Sequence, residues 1–496
     1  MNLTILLDMA ADGFGDRVVL GTRAEGITAQ RMQALARGGA AVAVASGADA
    51  ILYLAVNGPA FPLALFAAAY AGVPLVPVNY RLGADQLDYL LAQHPKAYAI
   101  ADPAQHEALA RNGLAPVTAQ EWMAAAEAAA ADPVDNPADP SATAVIIYTS
   151  GTTSAPKGVV LRHENLVSYV FGSVDFMSAD EGDAALVSVP PYHIAAVANV
   201  ISNLYAGRRL LTLESFSPAE WLRLVRDEGV TNALVVPTML ARIVDAADTD
   251  RSVPSLRSLA YGGAAMPQSV IEQALRLWPH VDFVNAYGLT ETSSTISVLG
   301  PDDHRAAIAA SEPQVRARLG SAGKVVPAIE LEIRDDAGAP VGPGVSGRIF
   351  VRGDQVSGEY TGSGSVVDAR GFFDTRDEGY LDVDGYLFIK GRADDTIIRG
   401  AENIAPAEIE VVLLEHEAVS DAVVVGVPDE EWGQRIEAVV VLRPGASVEA
   451  DDLREHVRSR LRGSKTPERI TFWDELPRTE TGKLVRRNVV AELTDD

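Results

Sequence analysis

The segment from residue 143 to about residue 290 repeats one order, in which a short apolar run precedes a stretch of helix length. The apolar runs read TAVIIYTS, AALVSVP, RRLLTL, TNALVVP, RSLAYGG and VDFVNAYG, and helical periodicity follows, for example at 218–230 and 267–278. Continuous apolar strands that alternate with helices are typical of a parallel sheet covered on both faces. Ligands of such sheets bind beyond the carboxyl ends of the strands. The sequence therefore predicts an α/β fold with a ligand site where the loops YTSGTT, YGGAA and AYGLTET meet.

The segments on either side of this region have different patterns. Residues 1–130 alternate apolar runs such as DAILYLAVNG and VPLVPVN with helical patterns, and residues 121–142 are of low complexity, so we predict a surface connection there. After about residue 315, the runs AIELEIRD, GRIFVRG and GYLDVDGYLFIKGR alternate with period two between glycine turns. This pattern predicts a small antiparallel β-barrel or sheet.

A further unit of about 100 residues follows GRADDTIIRG and has the size of a separate domain. Its pattern predicts a helix at 406–415, strands at 421–427 and 435–443, a helix at 451–462, a short strand at 470–474 and a basic tail. We therefore expect a large N-terminal domain of parallel α/β sheets and the small barrel over 1–391, a hinge at 392–395, and a small mobile α+β domain over 396–496.

Charge and composition exclude several classes of function. The 496 residues include 41 basic and 67 acidic side chains, a formal charge of −26, so nucleic acid is not the expected partner. The absence of cysteine excludes a thiolate nucleophile or thiolate metal ligand, so the sulfur of any thioester product must come from a second molecule.

The apolar stretch at 61–78 is about as long as a membrane span. Pro62, Gly72, Pro74 and Pro77 interrupt it, so we predict a buried helix followed by a buried strand. We expect no transmembrane segment and a cytoplasmic location, and a homodimer remains open.

The loop YTSGTTSAPKG at 148–158 is rich in hydroxyl groups and carries one lysine. It nearly fits the phosphate-binding pattern G-x-x-x-x-G-K-[ST], but Pro156 and Gly158 stand where glycine and Ser/Thr are required. Hydroxyl groups, a close-approach glycine and Lys157 suit a phosphate. A hydroxyl-rich surface turn between a strand and a helix is the alternative.

Three further segments carry residues suited to a nucleotide. In NAYGLTET, Tyr287 could stack on a base, and Thr290 and Glu291 suit a phosphate and its Mg²⁺, since hard cations prefer oxygen ligands. A helix N-cap at Thr290 is the alternative there. Asp377 and Arg392 lie farther along the chain, and PRTETGKLVRR near the end contains Lys483.

Taken in order and spacing, these four segments resemble the adenylate-forming enzymes: acyl- and aryl-CoA ligases, beetle luciferases and the adenylation domains of nonribosomal peptide synthetases. The resemblance extends over essentially the whole chain, and the family's first motif reads close to YTSGTTGxPKG. It implies ATP, Mg²⁺ and coenzyme A as ligands beside a small carboxylic acid. The residues that it assigns to nucleotide and cofactor binding are Thr149, Ser150, Gly151, Thr152, Thr153, Lys157, Gly262, Gly263, Ala264, Tyr287, Gly288, Asp377, Arg392 and Gly400.

The resemblance also implies catalytic residues, namely Lys483, Thr290, Glu291 and His193. Glu291 would hold Mg²⁺, Asp377 would accept from the ribose hydroxyls, and Lys483 would bridge the carboxylate and the α-phosphate. The implied reaction forms an acyl-adenylate. The C-terminal domain then rotates about Asp394 and brings the loop at 399–401 to the channel of the incoming thiol. Coenzyme A is the expected acceptor. Loading of a carrier protein and a catalytically inactive nucleotide-binding regulator are the alternatives.

The segment PPYHIAAVANVISNLYAGRR resembles the family's acyl pocket, with His193 between the pocket and the thiol channel. The alternative for His193 is a histidine packed at a strand end. No acidic residue occurs between Asp183 and Glu214, so a substrate ammonium would lack a partner there and an amino acid is disfavoured. Small alanines and apolar walls favour a fatty or aryl acid, and the lack of an arginine just after His193 disfavours malonate.

Two positions depart from the family pattern. Ser154 replaces a glycine of the phosphate loop, and Arg376 replaces the glycine of Thr-Gly-Asp before Asp377. If position 154 requires positive φ, its serine would strain the loop by about 1 kcal/mol or more. Arg376 is expected either to change how Asp377 is presented or to point its side chain to solvent.

Overall fold

The computed structural model describes residues 1–149, 156–246, 249–399, 402–429, 432–461, 463–479 and 484–495. The helices of these residues are α1 Thr4–Phe14, α2 Ala29–Ser46, α3 Ala60–Ala71, α4 Ala84–Leu91, α5 His106–Arg111, α6 Ala119–Ala129, α7 His163–Ser173, α8 Ile194–Ala206, α9 Pro218–Asp227, α10 Pro237–Val244, α11 Gln268–Leu277, α12 Pro301–Ala309, α13 Pro313–Ala317, α14 Pro406–Leu414, α15 Ala450–Arg458 and α16 Arg486–Asp495. Short 3₁₀ turns lie at Pro103–Gln105, Thr290–Thr292, Arg318–Gly320, Ala393–Asp395 and Gly463–Lys465.

The strands of the described residues form five sheets. In chain order they are β1 Val18–Leu20, β2 Ile27–Thr28, β3 Ile51–Leu54, β4 Leu75–Pro77, β5 Tyr98–Ala101, β6 Pro116–Val117, β7 Thr143–Thr149, β8 Lys157–Arg162, β9 Ala184–Val187, β10 Arg209–Thr212, β11 Asn232–Val235, β12 Ser258–Gly262, β13 Asp282–Leu289, β14 Ser294–Leu299, β15 Lys324–Val325, β16 Glu330–Arg334, β17 Gly347–Arg352, β18 Glu359–Tyr360, β19 Gly364–Ser365, β20 Phe373–Leu381, β21 Leu387–Arg392, β22 Ile397–Arg399, β23 Glu402–Ile404, β24 Val419–Asp429, β25 Gly433–Leu442 and β26 Arg469–Phe472.

The largest sheet has nine strands in the order β15-β14-β13-β12-β11-β9-β10-β1-β2. The six strands from β13 to β1 run parallel, and antiparallel strands complete the two edges. All four residues of β9 are buried, as expected for a strand covered on both faces. The predicted parallel α/β sheet is confirmed for the apolar runs from AALVSVP to VDFVNAYG.

The run TAVIIYTS belongs to a second sheet of eight strands, in the order β19-β18-β8-β7-β4-β3-β5-β6. In this sheet β7 is parallel to β4 and antiparallel to β8. The loop YTSGTTSAPKG therefore joins two antiparallel strands, so the alternative of a turn between a strand and a helix is wrong. Only residues 150–156 separate β7 from β8, fewer than the roughly dozen residues that a parallel crossover needs.

The apolar stretch at 61–78 folds as predicted into a helix and a strand. Every residue of α3 is buried, and the helix ends at Gly72, whose φ of 75° allows its N–H to reach the carbonyls of Ala68 and Ala69. Buried β4 follows. In the part of the chain that the structure describes, no helix has both the length and the apolarity that a membrane crossing requires.

The predicted surface connection at 121–142 is wrong in its first half, where α6 packs on α2. A reciprocal capping box between Thr118 and Glu121 begins the helix. The Trp122 ring is fully buried, and a Cβ added at Gly39 of α2 would lie 2.6 Å from it. Glycine and alanine therefore allow a close helix contact, and the low-complexity composition reflects that packing.

Strands β16, β17, β20 and β21 form a four-stranded antiparallel sheet in that order. The predicted antiparallel unit is therefore present. Closure into a barrel is not seen, since β16 and β21 remain the edges of this sheet among the described residues.

The C-terminal unit is α+β. Strands β24, β25 and β26 form its main sheet, and α14, α15 and α16 pack with it. The predicted basic tail is wrong, because residues 486–495 form α16, with Val489 and Leu493 buried against the sheet. Two apolar residues four positions apart on a helix lie on one face, which explains this docking.

We predict that Trp122→Ala destabilises the protein by about 3–5 kcal/mol, because it removes a buried ring from the α2–α6 contact and leaves a cavity. The thermal unfolding midpoint, measured by circular dichroism, should fall by about 5 °C or more. Trp432→Ala is the matched control, since Trp432 is 44% exposed. Equal midpoints for the two variants would contradict the packing of α6.

Candidate active site

The hydroxyl-rich loop is held by the hairpin of β7 and β8. Thr149 and Lys157 are paired across the hairpin and flank the loop, and Lys157 is exposed. The predicted site residues Ser150, Gly151, Thr152 and Thr153, and the unusual Ser154, lie outside the described residues. The structure thus places the two ends of the candidate phosphate loop.

The loop that carries Glu291 is joined to this hairpin through β18. Tyr360 of β18 pairs with Val159 of β8, and its hydroxyl donates to the Glu291 Oε1 at 2.7 Å. The Ser357 and Gly358 amides donate to the Glu291 backbone carbonyl at 2.9 and 3.3 Å. The two large sheets therefore meet at Glu291.

Glycines allow the strands beside the site to approach one another closely. A Cβ at Gly262 would collide with the Ala286 carbonyl, and a Cβ at Gly288 would collide with the Ser294 carbonyl. Gly263 has a φ of 86°, in the region that disfavours other residues. Half-buried Ala264 follows. The backbone of β12 and β13 is thereby exposed at the site without intervening side chains.

Thr290 and Glu291 lie in a single 3₁₀ turn rather than at the start of an α-helix. The Thr292 hydroxyl accepts from the Leu289 amide at 3.0 Å, so Thr292, and not Thr290, provides the local cap. Ser293 and Ser294 follow with φ values of 55° and 111°. Positive φ at consecutive serines is costly, and such strain is concentrated at functional sites.

Tyr287, Asp377 and Arg392 form a compact cluster, although they are far apart in the sequence. The Tyr287 hydroxyl donates to the Asp377 Oδ2 at 2.5 Å, and the Arg392 Nε lies 3.0 Å from the Asp377 Oδ1. Burial, together with the Asp377 carboxylate, raises the pKa of Tyr287 well above its usual value. The tyrosine therefore stays protonated and acts as a hydrogen-bond donor to the Asp377 carboxylate.

The backbone of Arg376 has a positive φ, a conformation that favours glycine. Its φ is 60°, a value at which glycine is favoured, and it lies between Thr375 and Asp377. Its guanidinium lies 3.6 Å from the Asp394 carboxylate in the turn after β21, and both side chains are largely exposed. The backbone is therefore strained at Arg376, which the sequence did not predict, while Asp377 still reaches Tyr287 and Arg392.

His193 is the N-cap of α8, and its Nδ1 accepts from the Ala195 amide at 3.1 Å. The capping role places the half-buried ring at the end of α8 that follows β9. A histidine packed at a strand end, the alternative, does not describe this position.

A cavity of about 330 Å³ lies between α7, α8 and the nine-stranded sheet. Its lining includes Ala260 and Ala286, which precede the candidate residues Gly262 and Tyr287 by two positions and one position, so the cavity adjoins the strand ends that carry them. The expected apolar wall is wrong in part, because α8 contributes Asn199, Ser202 and Asn203 to the lining. These residues were missed although Ser202 and Asn203 lie three and four positions after Asn199, a spacing that places all three on one helix face.

The C-terminal unit contributes charged pairs near the candidate hinge. Gly400 and Lys483 lie outside the described residues. Asp395 in the turn after β21 lies 3.2 Å from the Arg486 Nε at the start of α16. Two basic residues of this unit, Arg435 and Lys465, are paired with Glu437 and Glu408.

Comparison with known proteins gives the family. The family described as AMP-binding enzyme matches residues 7–361, and the AMP-binding enzyme C-terminal domain matches residues 408–483. The chain belongs to the AMP-binding enzyme family. It is a member of the AMP-forming acid–CoA ligases within that family.

Relatives of this AMP-binding enzyme act on different acids. A feruloyl-CoA synthase of Amycolatopsis sp is 36% identical over 471 residues, covering 93% of this chain and 92% of that protein. A fatty acid–[acyl-carrier-protein] ligase of Streptomyces coeruleorubidus is 32% identical, covering 89% and 86%. The o-succinylbenzoate CoA synthetase of Bacillus subtilis, solved with its acyl-adenylate intermediate, superposes with a TM-score of 0.83 at 28% identity, covering 98% of this chain and 97% of that chain.

We predict that Arg376→Gly yields a more stable AMP-binding enzyme than Arg376→Ala, by about 1 kcal/mol. Both changes remove the exposed ion pair, but only glycine relieves the positive φ. Thermal unfolding midpoints check the order. Val383, which is 83% exposed and lacks a positive φ, is the matched control, and there alanine should be the more stable replacement. An alanine variant at position 376 that equals or exceeds the glycine variant would contradict the strain.

Proposed function

We propose that this enzyme activates an aryl carboxylic acid with ATP to an acyl-adenylate and then transfers the acyl group to the thiol of coenzyme A. The observation that carries the proposal is the Tyr287–Asp377–Arg392 cluster beside a cavity whose lining ends at the nucleotide loops. A cavity of about 330 Å³ suits a ring-bearing acid. One relative is a feruloyl-CoA synthase, and the feruloyl group is an aryl acyl group. A fatty acid is the alternative substrate.

In this proposal the nucleotide lies across the loops from the two sheets. Residues 149–153 and Lys157 hold the β- and γ-phosphates, while the loop of Gly262, Gly263 and Ala264 and the Tyr287 ring contact the adenine. Asp377 accepts from the ribose hydroxyls, and Arg392 orients its carboxylate. Donors and acceptors that are fixed before binding lower the cost of ordering the substrate.

Magnesium fits the residues around Glu291. The Glu291 Oε1 accepts from Tyr360, which orients the carboxylate and leaves Oε2 for a cation. Among the described residues, no group of three acidic or histidine side chains forms a metal cage. Mg²⁺ is commonly held by one or two carboxylates together with substrate phosphates, and when bound it would neutralise phosphate charge.

The first reaction joins the acid to AMP. A carboxylate oxygen attacks the α-phosphorus, a new P–O bond forms, and the bond to pyrophosphate breaks. Lys483 is proposed to bridge the carboxylate and the α-phosphate and to offset the charge that develops between them. Thr290 contributes a hydroxyl to the phosphate.

The second reaction requires a different arrangement of the C-terminal domain. We infer a large domain over 1–391, a hinge at 392–395 and a mobile domain over 396–496. Rotation about Asp394 withdraws Lys483 and brings the loop with Gly400 to the channel beside His193. The thiol sulfur then attacks the acyl carbon, the bond from that carbon to the AMP phosphate oxygen breaks, AMP leaves, and the thiol proton passes to solvent.

The chain contains no cysteine, so the thiol must be external. Coenzyme A is proposed as the acceptor because the alignment with the feruloyl-CoA synthase covers 93% of this chain, whereas the alignment with the carrier-protein ligase covers 89%. The carrier-protein ligase relative keeps acyl-carrier loading as the second candidate.

We predict that the enzyme converts at least one acid of a panel of benzoates, cinnamates and straight-chain fatty acids into a coenzyme A thioester, with ATP and Mg²⁺ present. Mass spectrometry should detect the thioester and AMP together. AMP without a thioester would favour a carrier protein as acceptor. If no acid yields AMP, an inactive nucleotide-binding regulator replaces the ligase proposal.

We predict that Lys483→Ala lowers adenylate formation by about 10²–10³-fold, because one charge donor to the transition state is lost. Pyrophosphate exchange measures this first step. Thioester formation from a chemically prepared acyl-adenylate should change far less. Lys96→Ala, an exposed lysine, is the control and should leave both steps unchanged. An equal loss in both half-reactions would contradict domain rotation.

A further inference from the structure

The cavity beside the nucleotide loops contains a chain of hydrogen bonds that ends at a buried amide. Arg208 Nη1 donates to the Asn203 Oδ1 at 3.2 Å, and Asn203 Nδ2 donates to the Asn199 Oδ1 at 2.8 Å. Both asparagines line the cavity, and Asn199 is only 7% exposed. Since its oxygen is engaged, the Asn199 Nδ2 is the group left to meet a ligand.

We propose that the substrate acid carries a neutral oxygen acceptor at the end remote from its carboxylate, and that this oxygen accepts a hydrogen bond from Asn199 Nδ2. A hydroxyl, methoxy or carbonyl oxygen has this chemistry. The inference rests on the proposed acid-activating function and specifies the substrate of that site.

The geometry of α8 places Asn199 at the right depth. His193 caps the helix at the end near the reacting groups, and Asn199 is six residues farther on, about 9 Å along the axis at 1.5 Å per residue. The carboxylate must lie near the nucleotide loops, where Ala260 and Ala286 line the cavity. A donor about 9 Å deeper therefore meets the distal part of the acid.

The direction of the hydrogen-bond chain determines which partner is favoured. Arg208 is positively charged, and its donation to Asn203 polarises that amide, which in turn polarises Asn199. Chains of hydrogen bonds strengthen one another in this way in a medium of low dielectric constant. Asn199 is thus presented as a strengthened donor, which selects an acceptor on the substrate.

The charge of the lining argues against an ionised distal group. Among the described residues that line the cavity, none is acidic or basic. A second carboxylate or an ammonium would be buried there without an opposite charge, which is costly. A neutral oxygen satisfies the buried donor without this cost, whereas a methyl group would leave the donor unpaired.

The test uses the intact enzyme and matched acids that differ only in a terminal methyl or hydroxyl group, which are similar in size. The pairs are 4-methyl- and 4-hydroxybenzoate, 4-methyl- and 4-hydroxycinnamate, and nonanoate and 8-hydroxyoctanoate. Pyrophosphate release gives kcat/KM for each acid. For the pair of acids with the highest kcat/KM, we expect kcat/KM of the hydroxyl acid to exceed that of the methyl acid by about 10–100-fold. A site that forms a hydrogen bond to a polar group rejects an analogue that lacks this group.

Variants identify the residue responsible. Asn199→Leu, close in size, should abolish or reverse the preference while the methyl acid is still adenylated. Ser202→Ala is the matched control on the same wall. The Ser202 hydroxyl already donates to the Ala198 carbonyl at 2.6 Å, so this variant should keep the preference. Thermal midpoints confirm that both variants fold.

Asn203 and Arg208 act through Asn199 and are positioning residues. Arg208→Gln should reduce the preference for the hydroxyl acid, while Arg208→Lys, which keeps the charge, should retain more of it. A merely structural role would lower activity with both acids of a pair alike.

The outcomes separate this inference from the proposed function. Activation of the methyl acid as efficiently as the hydroxyl acid, with a ratio unchanged by Asn199→Leu, would overturn the inference and leave the ligase proposal intact. No adenylation of any acid by the unaltered enzyme would overturn the ligase proposal itself.

Discussion

The contact between Tyr287 and Asp377 joins the parts of the molecule on which the site depends. Tyr287 belongs to the nine-stranded sheet and Asp377 to the four-stranded antiparallel sheet, and Arg392 holds the same carboxylate at the last residue before the turn at Ala393–Asp395. A buried carboxylate is tolerated only with such partners, because an unpaired charge is expensive away from water. The orientation of one sheet relative to the other is therefore coupled to the proposed ribose site and to the start of the proposed hinge.

The second sheet is joined at the same place by Tyr360, which pairs with β8 and reaches Glu291. The proposed phosphate loop and the proposed Mg²⁺ ligand thus come from different sheets and are connected by one side chain. Glycines at 262 and 288 let the strands beside them approach without intervening side chains. The energetic cost of the site is concentrated nearby, at Ser293, Ser294 and Arg376, where the backbone has positive φ.

Local patterns predicted the local structure well and the packing of distant segments poorly. The apolar strands, the buried helix α3 and the meeting of the loops followed from periodicity and from the position of small residues. The assignment of TAVIIYTS to the parallel sheet failed because an apolar run indicates a buried strand and not its neighbours. The helices α6 and α16 were missed because their packing depends on distant parts of the chain. The burial of Trp122, Val489 and Leu493 can be inferred only when the surfaces that they pack against are known. Barrel closure depends on the pairing of edge strands, which period-two alternation does not encode.

By itself, the sequence determined the family, because four motifs in a fixed order require particular residue types at particular spacings. It also singled out Tyr287, Asp377 and Arg392 as candidate site residues and showed that Arg376 stands where the family has glycine. Only the tertiary structure decided which groups share the Asp377 carboxylate and which residues line the cavity proposed for the acid. Asn199 and Asn203 looked like ordinary polar positions of an alanine-rich helix. Their hydrogen bonding depends on Arg208, and their place in the cavity depends on the sheet packed opposite. The chemistry of a side chain depends on the partners that folding brings to it.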